Sequence, residues 1–221
     1  MTLVFEENHT SSRLDLSDDG LTVTANTSSW GTARLSKGVD QGKWYWEYEI
    51  LNVSGSSRRV MAGVINSSQS LDSYPGYTSR GRGYFSINGN KFLNSGDGTS
   101  YGESFGIGDI VGVALDMDLG TIEFFKNGIS QGIAYDNLHS LGTVYPALAA
   151  TPSGASAKAN FGAEKFHLVD ADPELWNGMI FQGYQPFDKE AARYWFDKIR
   201  IRDLVFSQQY LDHEETGYIL V

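Results

Sequence analysis

The stretch KWYWEYEIL, residues 43–51, decides the fold class of this chain. Its large apolar side chains fall on every second position, at Trp44, Trp46, Tyr48 and Ile50. Because successive side chains of a β-strand point to opposite faces, this period of two predicts a strand with one face buried in a core. The positions between them carry Tyr45, Glu47 and Glu49, and glutamates opposite a buried aromatic face are most often solvated.

Similar short segments rich in β-branched and aromatic residues recur about every ten residues through the first three quarters of the chain. No helical pattern lies between them, which predicts an all-β fold, a bent antiparallel β-sandwich, and argues against a parallel α/β sheet. The further predicted strands are Leu21 to Asn26, Arg59 to Ile65, Gly83 to Ile87, Lys91 to Asn94, Ile110 to Asp116, Thr121 to Lys126, Ile129 to Tyr135, Tyr145 to Ala150 and Ala155 to Phe161.

Two Asn-Gly pairs, Asn88-Gly89 and Asn127-Gly128, lie between these segments. Both central residues of a type I′ turn need a positive φ, which Asn and Gly tolerate best, so each pair predicts a tight hairpin. A looser turn over residues 118–120 would join the strands on either side of it. The turn at residues 118–120 and the Asn127-Gly128 pair together predict a three-stranded antiparallel run over residues 110–135.

Composition excludes several functional classes. The 27 acidic residues outnumber the 17 basic ones, and the net charge of -10 disfavours binding to a nucleic-acid backbone. The chain has no cysteine, which excludes disulfides, thiolate metal sites and cysteine nucleophiles. No stretch approaches the roughly 20 apolar residues that span a bilayer, and the first residues do not resemble an export signal, so we expect a soluble protein without membrane insertion.

The sequence changes character after Phe161-Gly162. Glycines become rare, and from Asp188 onward the pattern is helical: Asp188 can cap a helix whose apolar stripe runs from Ala191 to Ile199. We therefore predict two regions, a sandwich over residues 1–165 and a partly helical extension over residues 166–221 that docks on the sandwich or takes part in assembly. The apolar end of the chain, residues 217–221, should also pack against the body or a neighbour.

Few residue clusters suggest chemistry. The four histidines are scattered, and residues 116–120 only partly match a calcium loop, so no metal site or cofactor is predicted. Glu47 and Glu49 share one strand face about 7 Å apart, a separation compatible with a glycoside-hydrolysing or carbohydrate-binding sandwich. Solvated surface is the commoner role for such residues, and the chain is expected not to be an enzyme.

The segment between residues 66 and 83 is more informative for binding. It is long for a hairpin connection, and long loops on a rigid sandwich often carry function. It contains Tyr and Arg, the residue types enriched at binding hot spots, and a second loop over residues 94–104 adds another tyrosine. The alternative is a solvated loop whose tyrosines lie against the sheet edge. The predicted partner-binding residues are Tyr74, Tyr77, Arg80, Arg82 and Tyr101.

The chain resembles the SPRY domain family from about Leu3 to Gly162. The motifs that carry the resemblance appear in family order. They are Trp30 with Ala33-Arg34, GKWYWE at 42–47, Gly63-Val64, GYFS at 83–86, GDIVGVALD at 108–116, IEFFKNG at 122–128 and Tyr145-Pro146-Ala147. The resemblance implies a bent sandwich whose end loops bind a protein or peptide partner without catalysis, and it makes Glu47 a position of the family scaffold.

The opening residues and the segment from LTVT at residues 21–24 to WG at residues 30–31 are also similar to SPRY-like domains of bacteriophage structural proteins. This second resemblance implies a virion component such as a tail, fibre or capsid-decorating protein. Its partners would be other virion subunits or a host surface molecule, and it would be located in the virion; otherwise we expect a cytoplasmic protein. A purely architectural subunit that forms homo-oligomers is a third hypothesis, which the oligomeric state in solution would test.

Overall fold

The computed structural model describes residues 2–53, 59–94 and 96–196. The strands are β1 (Leu14–Leu16), β2 (Thr22–Ala25), β3 (Gly31–Arg34), β4 (Lys43–Asn52), β5 (Arg59–Ile65), β6 (Gly81–Phe85), β7 (Lys91–Phe92), β8 (Ile110–Asp116), β9 (Thr121–Lys126), β10 (Ile129–Tyr135), β11 (Tyr145–Thr151), β12 (Ser156–Asn160) and β13 (Tyr184–Pro186). The helices are α1 (His167–Ala171), α2 (Pro173–Phe181) and α3 (residues 189–196), with 3₁₀ turns at Glu7–His9 and Leu138–Leu141.

Two sheets pack face to face. The larger sheet has the order β1-β2-β12-β4-β8-β9-β10, with β13 added alongside β4, and the smaller has the order β3-β11-β5-β6-β7. All pairings are antiparallel except β13 with β4. The predicted all-β sandwich is therefore confirmed, and strand pairs that are distant in sequence, such as β4 with β12, hold the two halves of the chain together.

The inner face of β4 forms the centre of the core as its alternation predicted. Trp46, Tyr48 and Ile50 are fully buried between the sheets. The hydroxyl of Tyr48 donates to the carbonyl oxygen of Ala147 on the opposite sheet at 3.3 Å, so its one polar atom is satisfied. Burial of such large rings supplies the main driving force for joining the two sheets.

All ten predicted strands are present, with end shifts of one or two residues in several of them. The sequence patterns missed β1, β3 and β13, which are three or four residues long and too short for a periodic signal.

The two Asn-Gly turns differ. Asn127 and Gly128 both have positive φ, at 51° and 83°, as a type I′ hairpin requires. At the other pair only Gly89 has a positive φ, so the predicted type I′ geometry at residues 88–89 is wrong. A wider loop forms there instead. The amide of Phe85 donates a hydrogen bond to the carbonyl of Asn90 at 3.0 Å, and the amide of Asn90 donates to Oδ1 of Asn88 at 3.1 Å.

The chain after the sandwich packs on the outer face of the larger sheet. Helices α1, α2 and α3, with Phe166 just before α1, cover Tyr45, Ala114 and Phe125 with buried apolar side chains. Strand β13 pairs with the start of β4, and Phe187 behind it enters the core between the sheets, where it is fully buried. The boundary predicted at residue 165 stays a prediction. Phe187 lies in the core between the sheets, and the other buried hydrophobic residues of 166–196 form a second cluster with Tyr45, Ala114 and Phe125.

Asp188 acts as the predicted helix cap. Its Oδ1 accepts from the amide of Ala191 at 3.1 Å, while its Oδ2 accepts from the amide of Leu3 at 2.6 Å. The same carboxylate thus holds α3 to the N-terminal segment of the chain. Of the predicted apolar stripe, Ala192 and Phe196 are buried, while Ile199 and the apolar end at 217–221 lie outside the described residues. None of the helices described is long and apolar enough to cross a membrane.

Candidate partner-binding pocket

A pocket opens on the outer face of the smaller sheet, at one end of three adjacent strands. Arg59 begins β5 and lies opposite Thr151, the last residue of β11. Trp30 immediately precedes β3, whose first residue pairs with Ala150 of β11. Neighbouring strands are about 4.8 Å apart, so this register brings side chains from distant parts of the sequence into one row.

The loop over residues 66–80 forms the opposite wall and is held by its own side chains. Buried Gln69 lies at its centre: its Nε2 donates to Ser73 Oγ at 2.7 Å, and its Oε1 accepts from Thr78 Oγ1 at 2.7 Å. The amide of Asn66 donates to the carbonyl of Arg80 at 2.9 Å and closes the base of the loop. These bonds give the long connection a defined shape, which a binding surface needs to limit its ordering cost.

Three aromatic rings line the pocket. Trp30 and Tyr74 have ring centroids 5.0 Å apart, and Tyr74 meets Tyr77 in a T-shaped contact at 5.2 Å. Tyr74 also packs edge-on against buried Phe92 at 5.8 Å, so the sheet supports the pair from below. Tyr74 is half-buried, and burial raises the pKa of its hydroxyl. Tyr77 is 55% exposed, so much of its side chain is open to solvent.

The cavity has a volume of about 350 Å³. Its rim combines hydroxyl groups, one carboxylate and one guanidinium group with the aromatic rings, a mixture typical of sites that bind a peptide side chain. The lining residues are Ser28, Ser29, Trp30, Arg59, Asp72, Ser73, Tyr74, Tyr77 and Thr151.

Arg13 connects the two loops that make the pocket walls. Its Nη1 donates to the carbonyl oxygen of Trp30 at 3.0 Å and to that of Asp72 at 2.8 Å. Its Nη2 lies 3.6 Å from the Asp72 carboxylate. Only a guanidinium group can hold two carbonyls and a carboxylate in this way, because a lysine ammonium lacks the planar fork of donors.

Of the predicted contact residues, Tyr74 and Tyr77 are together in this pocket. Arg80 is exposed nearby, but its Nη1 donates to the carbonyl of Ser68 at 2.9 Å and the residue does not line the cavity.

Arg82 has a different position from the one its sequence suggested. It is 2% exposed, and its guanidinium donates to the carbonyls of Ser79 and Gly81 and to the side chain of Asn137. Burial lowers its pKa. A side chain that is buried and engaged in this way cannot touch a partner directly, so its role is to fix the end of the 66–80 loop.

Tyr101 is also away from the pocket. It packs against Tyr84 and Phe124, its hydroxyl donates to the carbonyl of Gly132, and the amide of Phe124 donates to the same hydroxyl at 3.2 Å. The loop that carries it covers the edge strand β10. Tyr101 therefore packs against the sheet edge, and its predicted contact with a partner stays a prediction.

The sequence patterns missed Trp30, Arg59 and Asp72 as pocket residues. Trp30 was noticed only as part of a family motif, and the other two belong to a strand end and a loop without a local signal. Since the pocket joins segments as far apart in sequence as Ser28 and Thr151, only the sheet register reveals it.

Glu47 and Glu49 do not form a pair of catalytic carboxylates. Glu47 is 4% exposed: its Oε1 accepts from Tyr45 Oη and the amide of Leu168, both at 3.0 Å, and its Oε2 from the amide of His167 at 2.7 Å. Burial raises the pKa of Glu47 although these bonds oppose the change. Glu49 is exposed. Both side chains line a cavity of about 170 Å³, but the carboxylate of Glu47 is used to hold α1 on the sheet.

Within residues 2–53, 59–94 and 96–196, no group of three or more His, Asp or Glu side chains is placed to hold a metal ion.

Comparison with known proteins identifies the family. The SPRY domain model matches residues 43–164, which is more than half of the chain. A Ran-binding proteins 9/10 homolog of Drosophila melanogaster is 31% identical over 142 residues, covering 63% of this chain and 14% of that protein. Ran-binding protein 9 of Xenopus laevis is 31% identical over 125 residues, covering 57% and 22%, and the dual specificity protein kinase splA of Dictyostelium discoideum is 30% identical over 135 residues, covering 61% and 5%.

Solved structures agree on the fold. The SPRY domain of human HERC1 superposes with a TM-score of 0.60 at 23% identity, covering 70% of this chain and 96% of that domain. A second human SPRY domain gives a TM-score of 0.55 at 18% identity, covering 70% and 98%.

The similarity is confined to one part of the longer relatives. This chain spans between 14% and 22% of the length of the Ran-binding proteins named above. SPRY domains are protein–protein interaction modules. The matched segment contains β4, the buried core strands and two of the three aromatic residues of the pocket. By its sequence motifs, its two antiparallel sheets and this match, the chain belongs to the SPRY domain family.

Proposed function

We propose that this chain is a non-enzymatic binding module that captures a peptide segment of a protein partner in the pocket formed by Trp30, Tyr74 and Tyr77. The observation that carries the proposal is the exposure of Tyr77 above a rigid aromatic floor. Aromatic rings supply large contact areas at low entropic cost, and their environment here is already ordered before a partner arrives.

The size of the pocket suits a peptide side chain better than a flat protein surface. A volume of about 350 Å³ holds one or two large side chains. Backbone carbonyls and hydroxyls around the rim can hydrogen-bond an extended segment on either side of the buried group. Proteins and peptides are the ligands of SPRY domains, so the proposed ligand agrees with the family.

The enzyme hypothesis gets no support from the geometry at Glu47. A catalytic acid and base need free carboxyl oxygens facing a substrate, and both oxygens of Glu47 accept from the protein itself. A virion role, a virion or cytoplasmic location and a homo-oligomer stay predictions. The relatives named above are animal and slime-mould proteins and give the virion role no support.

The proposal can be tested with a display library of random linear peptides selected on the immobilised chain. We expect the enriched peptides to lose affinity by about tenfold or more for a Tyr77→Ala variant, the usual effect of truncating a hot-spot aromatic residue. Tyr194→Ala is the matched control, since Tyr194 is 78% exposed on α3 against the other sheet. Equal binding to wild type and Tyr77→Ala would contradict the proposal.

A further inference from the structure

The pocket has two charged lining residues, and only one of them is paired. Its one lining carboxylate, Asp72, is already engaged: Oδ1 accepts from Ser11 Oγ at 2.6 Å, and Oδ2 lies 3.6 Å from Arg13 Nη2. The charge of Asp72 is therefore used to hold the wall of the pocket. The other charged lining residue is Arg59, and no carboxylate that lines the pocket pairs with it.

Arg59 is placed to meet a ligand. It is exposed, and it makes no ion pair or cation–π contact with any residue in the described ranges. Its neighbour across the strands, Thr151, donates its hydroxyl to the carbonyl of Ser28 at 3.2 Å and does not compete for the guanidinium. Asp97 contributes to the raised pKa of Tyr74, yet it does not line the cavity.

We propose that Arg59 selects partners with an acidic side chain, an Asp or Glu carboxylate, next to the group that enters the aromatic pocket. The inference rests on the proposed function, because it names the chemistry of the peptide held there. A guanidinium group presents a fork of donors that matches a carboxylate in two parallel hydrogen bonds. In a chain with a net charge of -10, an acidic peptide gains nothing from long-range attraction, so the preference must come from this local contact.

The expected size of the effect follows from the exposure of Arg59. Ion pairs at an exposed rim contribute little beyond about 1 kcal/mol, which corresponds to roughly fivefold in affinity. Reversing the charge adds repulsion, so Arg59→Glu should weaken the binding of an acidic peptide by about tenfold or more at low salt. The difference should shrink as salt is added, since screening acts on exposed pairs.

The test uses two parallel selections of the same random peptide library, one on wild type and one on Arg59→Glu. We expect Asp and Glu to be enriched over the unselected library on wild type, and Lys and Arg to replace them on the variant. Arg193→Glu is the matched control, because Arg193 is exposed on α3 and its reversal changes the net charge by the same amount. The control should select the same acidic peptides as wild type.

The outcomes separate the inference from the proposed function. Peptides that need Tyr77 but show no acidic enrichment would overturn the inference and leave the binding module intact. Equal acidic enrichment on wild type and Arg59→Glu would overturn it as well. Peptides whose binding is unaffected by Tyr77→Ala would instead contradict the pocket itself. Thermal unfolding of each variant checks that the fold is retained. We expect that it is, because the substituted residues are exposed.

Discussion

The outer faces of the two sheets both carry aromatic clusters, but the two clusters differ in how far the rest of the chain covers them. On the larger sheet, Tyr45 and Phe125 are covered by Phe166, by Trp176 of α2 and by the helices around them. On the smaller sheet, Met61 and Phe92 are buried, but two of the rings that pack on them, Trp30 and Tyr74, are themselves only half-buried and reach the surface. One face is closed by the chain itself, whereas the other is open.

The difference shows how a sandwich divides stability from binding. Closing an aromatic face with a segment of the same chain adds buried apolar area to the fold and removes the surface from partners. Leaving the second face open sacrifices that stabilisation but provides a preformed apolar pocket with a polar rim. The following experiments test this division, from the largest expected effect to the smallest.

Removing the ring of Phe187 should have the largest effect. Phe187 is fully buried between the sheets, with its ring 5.4 Å from that of Trp46 and 5.6 Å from that of Trp44. Phe187→Ala should lower the free energy of unfolding by about 3–5 kcal/mol, measured by urea denaturation. Phe181→Ala is the matched control, because Phe181 is 94% exposed and its loss should cost no more than about 0.5 kcal/mol. A small effect at residue 187 would mean that the extension is not part of the core.

Truncation of Glu47 tests the contact between α1 and the sheet. Glu47→Ala leaves the amides of His167 and Leu168 without their acceptor, and we expect a loss of about 1–3 kcal/mol in unfolding free energy. The control is Glu49→Ala, two residues along the same strand but exposed, with an expected change within about 0.5 kcal/mol. Equal effects of the two substitutions would show that the carboxylate of Glu47 does not anchor the helix.

The stabilisation by Glu47 should also depend on pH. Burial raises the pKa of its carboxyl in the folded state, so the folded protein holds this proton more tightly than the unfolded chain does. The contribution is therefore fully present below the ordinary pKa of a glutamate and falls as pH rises through the raised value. Urea denaturation of wild type and Glu47→Ala at a series of pH values should show that the difference between their unfolding free energies narrows from acidic to neutral pH. A difference that widens would mean that the hydrogen bonds to Glu47 lower its pKa more than burial raises it.

Arg13 tests the open face. Arg13→Ala frees the carbonyls of Trp30 and Asp72, so the two walls of the pocket lose their link. Selected peptides should bind about tenfold more weakly, while the unfolding free energy falls by only about 1 kcal/mol. Arg34→Ala serves as control: Arg34 donates to the carbonyl of Leu35 and lies over the ring of Tyr145, outside the pocket. Weaker binding in both variants would point to a general loss of stability.

The smallest effect on stability is expected for Tyr77. Its ring is 55% exposed and contacts Tyr74 edge-on, so Tyr77→Ala should change the unfolding free energy by about 0.5 kcal/mol. Calorimetric unfolding measures this directly. A loss several times larger would mean that Tyr77 contributes as much to stability as the buried aromatic residues on the larger sheet. The contrast between the two faces would then disappear.

Local sequence patterns were sufficient to predict the structure where it depends only on neighbouring residues. The alternation in β4 and the Asn127-Gly128 turn both predicted their structures, because side-chain direction and φ are local properties. The opposite face of β4 was misjudged. Glu47 was expected to be solvated surface, yet it is buried beside Tyr45 under a segment that begins more than a hundred residues later.

The predicted binding residues illustrate the same limit. Arg80 and Arg82 are two positions apart and chemically identical, but one is exposed and the other is buried among backbone carbonyls. Nothing in their immediate sequence distinguishes them. Residue type identified Tyr74 and Tyr77, whereas Trp30 and Arg59 became visible only when the strand register brought them to the same cavity.

The sequence by itself determined the two-sheet architecture and the family, since hydrophobic period, turn residues and motif order act over a few residues at a time. The tertiary structure decided which outer face stays open and which loop residues share a pocket. Those outcomes depend on contacts between segments far apart in the chain: the docking of α1 on Glu47, the insertion of Phe187 and the Arg13 link between two loops. Such contacts are set by packing and register, which no local pattern encodes.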